Sequence, residues 1–494
     1  MSVPVHLEPV GTAPDSGWWV QTCLQLAAVL PQLRIAVYAS GGSGYHHAAL
    51  IAQWAAIPEP LDAARICAGE LDQYDVLVMP GGGLRAMGGL LQPLGETGAA
   101  QIQRWVEEGG LYVGSCAGAF LGARLSENFL TSHPEARGLH LLNLKIANAA
   151  DGGLGGLDSP GVGVVQAELT DPAHPLARGL PQQFPIVHYN GPCFLPPAGS
   201  GISGAVTWKV ATAQFTPWET SLPGSSGPEG AEEHSSTPQV AARLAVAAGQ
   251  LAVSGPCGQG TVVLFGSHPE FGFSVLQLGW GVAARLLANA LALGVSRSSG
   301  PLPSTVLPQA IGRDSVLKSA GLLAQAAERF SSLVGRPPDL RAAPAFMGLD
   351  AQEVWKLGLT EAATVAQATA AYLTDLAQQP DFRAVARWTD HEPVAAQDYG
   401  LVGLAQLARH ITALLDRAEL RLQAPVPAQT FPYDAWEDHP YHLLVSSYLS
   451  AAGLTASASL AAGILGRLNG VQVAPHPLVS VASASQFLPQ RSAL

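Results

Sequence analysis

From about residue 34 the chain alternates short β-branched, apolar runs with longer stretches of helical periodicity. "RIAVYAS" gives way to an Ala-rich helical stretch, "DVLVMPGGG" to "GAAQIQRWVEEGG", and "LYVGSC" to "AGAFLGARL". Apolar strands that succeed one another through helices predict an α/β fold, a mostly parallel sheet with helices on both faces. After Leu125 the pattern turns to strand-like segments, "GVGVVQAEL", "FPIVHYN", "WKVATAQF" and "TVVLFGSH", separated by Gly and Pro. The interval 216–239 holds almost no apolar residues and reads as a flexible insertion.

A second break falls in the Ser- and Pro-rich stretch 295–308, and beyond it the strand pattern stops. The expected organisation is an N-terminal extension over 1–33, an α/β domain over 34–294, a linker over 295–308, a helical domain over 309–470 and a tail over 471–494. In the helical part, Asp350 and Glu353 stand at capping-box spacing. Leu404, Leu407, Ile411 and Leu414 recur at intervals of three and four, which places them on one buried face. Two apolar stretches, from Phe273 and from Tyr441, approach the length of a membrane span. The first carries Gln277, Arg285 and Asn289, and the second is rich in Ser and broken by Gly453. Both read as tightly packed buried helices.

Composition narrows the function classes. Of 494 residues, 48% are hydrophobic and only 13% charged, so the chain can bury large cores. Its formal charge of -12, with no basic run interleaved with aromatics, argues against nucleic acid and anionic membrane surfaces as partners. Five scattered cysteines without a Cys-x-x-Cys pair fit free thiols in a reducing compartment. The first twenty residues show no basic region followed by an apolar core, so a cytoplasmic location is expected.

The candidate chemistry begins at "LYVGSCAGAF", where Cys116 sits between a strand and a helix with Gly114 and Gly118 two residues to either side. A nucleophile elbow needs that arrangement, because flanking glycines remove side chains that would collide with neighbouring backbone. A helix starting at Ala117 would also favour the thiolate. Taken alone, the stretch is equally a small cysteine packed in a core. "TVVLFGSHPEF" supplies His268 to face a thiol and Glu270 to orient the imidazole, as nucleophilic acyl chemistry requires. "VLVMPGGG" ends a strand in glycines whose bare N–H groups could receive an oxyanion, making Gly82, Gly83 and the amide of Ala117 candidates; a tight strand-to-helix turn is the other reading of those glycines.

Together these stretches resemble the class I glutamine amidotransferase superfamily, whose fold is flavodoxin-like, and within it the biotin-protein ligase N-terminal-like domain. The resemblance runs from about Arg34 to Gly294 and is carried by "VYASGGSG", "VLVMPGGG", "GSCAGAF", "HPLARGL", "HYNGPCF" and "GSHPEF". It implies Cys116 as nucleophile, His268 as general base and Glu270 as its orienting partner. "HYNGPCF" selects the ligase-like branch and points to Tyr189, Asn190 and Gly191 for substrate binding, although Pro192 and Cys193 depart from the branch's pattern. No G-x-G-R-x-G motif for biotinyl-AMP follows residue 294, so biotin ligation does not follow from the resemblance.

His46 and His47 follow the first strand, at the ligand-binding edge of an α/β sheet, and His46 is a further substrate-binding candidate. "EDHPYH" has Asp438, His439 and His442 at ligand-like spacing, but Pro440 is expected to interrupt the helix that would align them. "GGSG" at 41–44 lacks the Lys-Ser or Lys-Thr of a phosphate loop. No metal and no cofactor is expected. The reading is a cysteine-nucleophile amidase or amidotransferase acting on a small-molecule amide through an acyl-thioester, glutamine being the candidate donor. Its rival is a non-catalytic binding or regulatory protein of the same fold that docks a protein partner through the helical domain.

Overall fold

The computed structural model describes residues 26, 30, 33–54, 56, 58–81, 86–124, 139–146, 162–189, 191–208, 249–295, 313–337, 351–383, 386–390, 401–422 and 440–471. Gly82, Gly83, Asn190, the insertion 216–239, the linker 295–308 beyond Val295 and the tail after Val471 lie outside them.

The α/β architecture is present as a mixed eleven-stranded sheet. Its parallel part runs in the order β2 (Pro58–Leu61), β1 (Ile35–Tyr38), β3 (Val76–Met79), β4 (Leu111–Ser115) and β11 (Gly260–Phe265). β1, β3 and β4 are buried at every position, which is why they read as continuous apolar runs rather than alternating ones. Helix α1 (Tyr45–Gln53) follows β1, α2 (Ala63–Cys67) follows β2, α3 (Ala86–Glu107) follows β3 and α4 (Ala117–Gly122) follows β4. α3 is interrupted at Gly95, whose φ of 55° leaves the helical region.

From β11 the sheet continues antiparallel through β10 (Gln250–Cys257), β9 (Ser203–Trp208), β6 (Val162–Leu169) and β7 (Gln183–Tyr189), with the short β5 (Lys145–Ile146) and β8 (Phe194–Leu195) beside β10. Of "WKVATAQF" only Trp208, the last residue of β9, is among the described residues, and β10 is an additional strand drawn from "QLAVSGPC". The antiparallel part curls back, because Val187 of β7 pairs with His268 just beyond β11. The end of β7 thereby reaches the edge where the parallel strands stop.

Successive residues of the parallel strands feed two cores. Val37, Val78, Val113 and Val263 face one side, and Ala36, Tyr38, Leu77, Tyr112 and Leu264 the other. The second side is covered by α2 and α3. The first is covered by α1, by α5 (Ala284–Val295) and by the C-terminal helices α6 (Arg313–Val334), α7 (Ala351–Gln378), α8 (Leu404–Leu422) and α9 (Pro440–Leu468), all in one hydrophobic cluster. Val316, Ala320, Leu323, Ala327 and Phe330 form the buried stripe of α6. In α8, Leu404, Leu407 and Ile411 are buried as expected, but the stripe continues through Leu415, while Leu414 is only partly covered. α9 is built of small residues for close packing: a Cβ on Gly466 would fall 1.6 Å from the Tyr372 hydroxyl. Within it, Ala451–Leu468 is long and apolar enough to cross a membrane, and 83% of that window is buried inside the protein. Pro440 is the first described residue of α9, and the first residue of a helix needs no N–H partner.

The helical region also bonds to the loops at the end of the parallel strands. Leu401 N–H donates to the Ala39 carbonyl (3.1 Å), the Tyr45 hydroxyl donates to the Val402 carbonyl, and Leu276 N–H donates to the Glu361 carboxylate (3.1 Å).

Candidate active site

Cys116 has φ 48° and ψ −111°, a conformation that a non-glycine residue adopts only when its surroundings impose it. The surroundings are identifiable. Cys116 N–H donates to the Phe265 carbonyl (2.8 Å), continuing the β4–β11 ladder, while its own carbonyl already accepts from Ala119 and Phe120, the first turn of α4. Strand and helix thus meet at a single residue. The glycines permit it: a Cβ on Gly114 would lie 2.5 Å from the Gly118 carbonyl oxygen, and one on Gly118 would lie 2.2 Å from the Met79 carbonyl oxygen. Gly81 is pressed against the nucleophile, since its Cβ would sit 2.5 Å from Cys116 Cβ and 3.0 Å from His268 Cε1. A glycine beside the thiol is thus the first of the three in "PGGG"; Gly82 and Gly83 are outside the described residues.

Three distant segments assemble around Cys116. His268 and Glu270 follow β11, and the His268 backbone is fixed by its N–H bond to the Val187 carbonyl (2.8 Å). His268 Nδ1 lies 2.7 Å from Glu270 Oε1, and the imidazole stacks on Phe271 with centroids 4.2 Å apart. Tyr189, at the end of β7, supplies the carbonyl that Cys116 Sγ contacts at 3.3 Å, and its ring lies edge-on to His268 at 6.3 Å. α1 brings His46 against Phe271 (4.7 Å) and His47 Nε2 within 3.0 Å of Ser115 Oγ and 3.5 Å of Glu270 Oε1.

The site is enclosed: Cys116 is 8% exposed, His268 2% and Glu270 0%. Burial disfavours charge on every group, yet the pair escapes it. For His268, burial works downward, but Glu270 and then Cys116 hold the imidazole well above its usual pKa. For Glu270, burial works upward, and His47 and His268 overcome it, holding the carboxyl below the usual range. His46 and His188 stay neutral, pushed down to about 4 and about 3 by burial. No group of three or more His, Cys, Asp or Glu arranged to hold a metal occurs among the described residues.

Of the residues singled out from sequence, Cys116, His268, Glu270, Tyr189, Ala117 and His46 come together. Gly191 lies where two backbones pass closely: a Cβ there would lie 1.8 Å from the Gly266 carbonyl oxygen. Gly81, Phe271, Ser115 and the orienting position of His47 were not anticipated; only the continuity of "HH" and "PGGG" with better candidates signalled them.

The elbow half of this arrangement has a counterpart among known families. Residues 71–136 match the family model of the biotin-protein ligase N-terminal domain. That span contains β3, α3 and the Cys116 elbow and stops far short of His268 and Glu270. No curated protein matches the chain. Among solved structures, a cytoplasmic protein from Salmonella typhimurium matches with 14% identity and a TM-score of 0.32, over 53% of this chain and 98% of that one. A protein from Bacteroides uniformis titled as ThuA-like matches with 14% identity and a TM-score of 0.31, over 53% of this chain and 90% of that one.

Proposed function

We propose that this chain is a cysteine-nucleophile amidase or amidotransferase with a class I glutamine amidotransferase-like fold, working on a small-molecule amide in the cytoplasm. The observation that carries the reading is the strained backbone at Cys116 beside an imidazole whose Nδ1 is held by Glu270 at 2.7 Å. In this mechanism the Cys116 thiolate attacks the amide carbon and a C–S bond forms. The oxyanion is met by backbone N–H groups at the elbow, with Ala117 the described candidate. As the C–N bond breaks, His268 delivers its proton to the departing nitrogen. Water, or a second amine, then attacks the thioester carbon, gives a proton back to His268, and expels the sulfur. Glu270 holds His268 in the tautomer that directs Nε2 at the reacting atoms, since its Nδ1 is engaged with the carboxylate. Glutamine is the first donor to test.

The test is ammonia release from a panel of amides beginning with glutamine, by the full chain and by Cys116→Ala. The variant should lose all turnover of any amide the wild type cleaves. Unchanged turnover would overturn the reading and leave a binding protein of this fold as the better account.

A further inference from the structure

The established pairing of His268 with Glu270 leaves a second buried imidazole unexplained. His47 is fully buried in the first turn of α1. Its Nε2 faces two oxygens, Ser115 Oγ at 3.0 Å and Glu270 Oε1 at 3.5 Å. The same Oε1 is 2.7 Å from His268 Nδ1. An ionised carboxylate oxygen only accepts, so the approach to Glu270 calls for a proton on Nε2, while the ring's backbone partner is Ser43. Burial, the largest influence on His47, works against a charge on the ring, and Glu270 pulls the other way.

This arrangement excludes one role and defines another. A base that activates a hydroxyl takes its proton on one ring nitrogen while a carboxylate holds the other. Here Ser115 and Glu270 share a single nitrogen, so His47 cannot serve Ser115 as His268 serves Cys116. We propose that His47 is a positioning residue: its Nε2–H clamps the Glu270 carboxylate between two imidazoles and ties it to Ser115, the residue preceding the nucleophile. One oxygen then sets the distance between the base side and the elbow side of the site. The clamp is itself anchored, because Tyr45, two residues earlier in α1, bonds to the carbonyl of Val402 ahead of α8. This inference rests on the Cys116–His268–Glu270 reading.

The experiment measures the rate of iodoacetamide modification of Cys116 at neutral pH by mass spectrometry in the full-length protein, with the partly exposed Cys67 and Cys257 as internal references. It compares wild type with His47→Leu, His47→Gln, Glu270→Gln and the double variant His47→Leu/Glu270→Gln, and follows each by thermal unfolding. If His47 acts through Glu270, His47→Leu slows Cys116 by about tenfold or more, as loss of an outer-shell hydrogen bond does at other sites. Gln, which carries an N–H donor at the matching position, restores the rate to within about threefold of wild type. The double variant is no slower than Glu270→Gln alone, because two residues working as a unit do not add. Additive losses, or a loss that Gln does not restore, would mean that His47 only fills space, and the inference falls. Wild-type reactivity in His47→Leu beside slow Glu270→Gln also overturns it while sparing the triad. Wild-type reactivity in both variants, and in His268→Ala, sinks the triad itself.

Discussion

The two sides of the site are built by different physics. The elbow is local: Gly114, Cys116 and Gly118 lie within five residues, and their geometry follows from where a Cβ has room. The base side is assembled from α1, the end of β7 and the loop after β11, and is held by buried polar contacts among His47, Glu270 and His268. Steric demands of this kind are written in adjacent residues. Buried electrostatic ones depend on partners brought from far along the chain, including the C-terminal part, whose Leu401, Val402 and Glu361 bond to Ala39, Tyr45 and Leu276.

The comparison breaks most sharply at the glycines. Gly118→Ala, which forces a methyl group against the Met79 backbone, should cost on the order of 3 kcal/mol in urea unfolding and abolish selective alkylation of Cys116. Gly191→Ala meets backbone just as closely on the base side and should cost a similar amount, whereas Gly69→Ala, with open space around it, isolates the penalty of a positive φ. A tolerant Gly118→Ala would show that the elbow is less tightly packed than its contacts require.

Acid sharpens the electrostatic side. His46 and His188 have folded pKa values pushed down to about 4 and about 3, so below pH 6.5 the unfolded chain takes up their protons first. Stability therefore falls as pH drops from 6.5 through those values. The depressed Glu270 adds in the same direction below its ordinary range, its contribution being lost as pH falls through the folded value. The raised His268 has the opposite sign: what it contributes is complete below pH 6.5 and is lost as pH rises through its folded value. Thermal unfolding of His46→Phe should show an acid limb flatter by about 3 kcal/mol between pH 7 and pH 4. An unchanged limb would place the acid sensitivity elsewhere.

A smaller effect tests the reach of the helices. Glu361→Ala deprives Leu276 N–H of its acceptor and should cost about 1–2 kcal/mol in urea unfolding, with a modest slowing of Cys116 alkylation. Stability loss with no change at Cys116 would confine Glu361 to packing.

Much of the elbow was legible because its information is short-range. The runs "IAVY", "VLVM" and "LYVGS" are strands buried on both faces, and the break in pattern after "LYVGS" marks the residue where strand becomes helix. "GSHPEF" disclosed His268 and Glu270, which are two residues apart, and the structure pairs them directly. His47 was visible only as one of two adjacent histidines, since nothing near it in sequence says which ring nitrogen meets Glu270, 223 residues later. The need for a glycine at 191 was hidden for the same reason: the carbonyl of Gly266 that demands it is remote in sequence.

By itself, then, the sequence determined the parallel strands β1, β3, β4 and β11, the strand-to-helix break at Cys116 and the helical character of the C-terminal part, because periodicity and glycine spacing act over a few residues. Only the tertiary structure decided that the antiparallel strands curl back to bring Tyr189 to the thiol, that the C-terminal helices share a core with the sheet, and that two imidazoles close on one carboxylate oxygen. Those arrangements are set by which distant surfaces bury one another, and burial is a property of the folded chain rather than of any stretch of it.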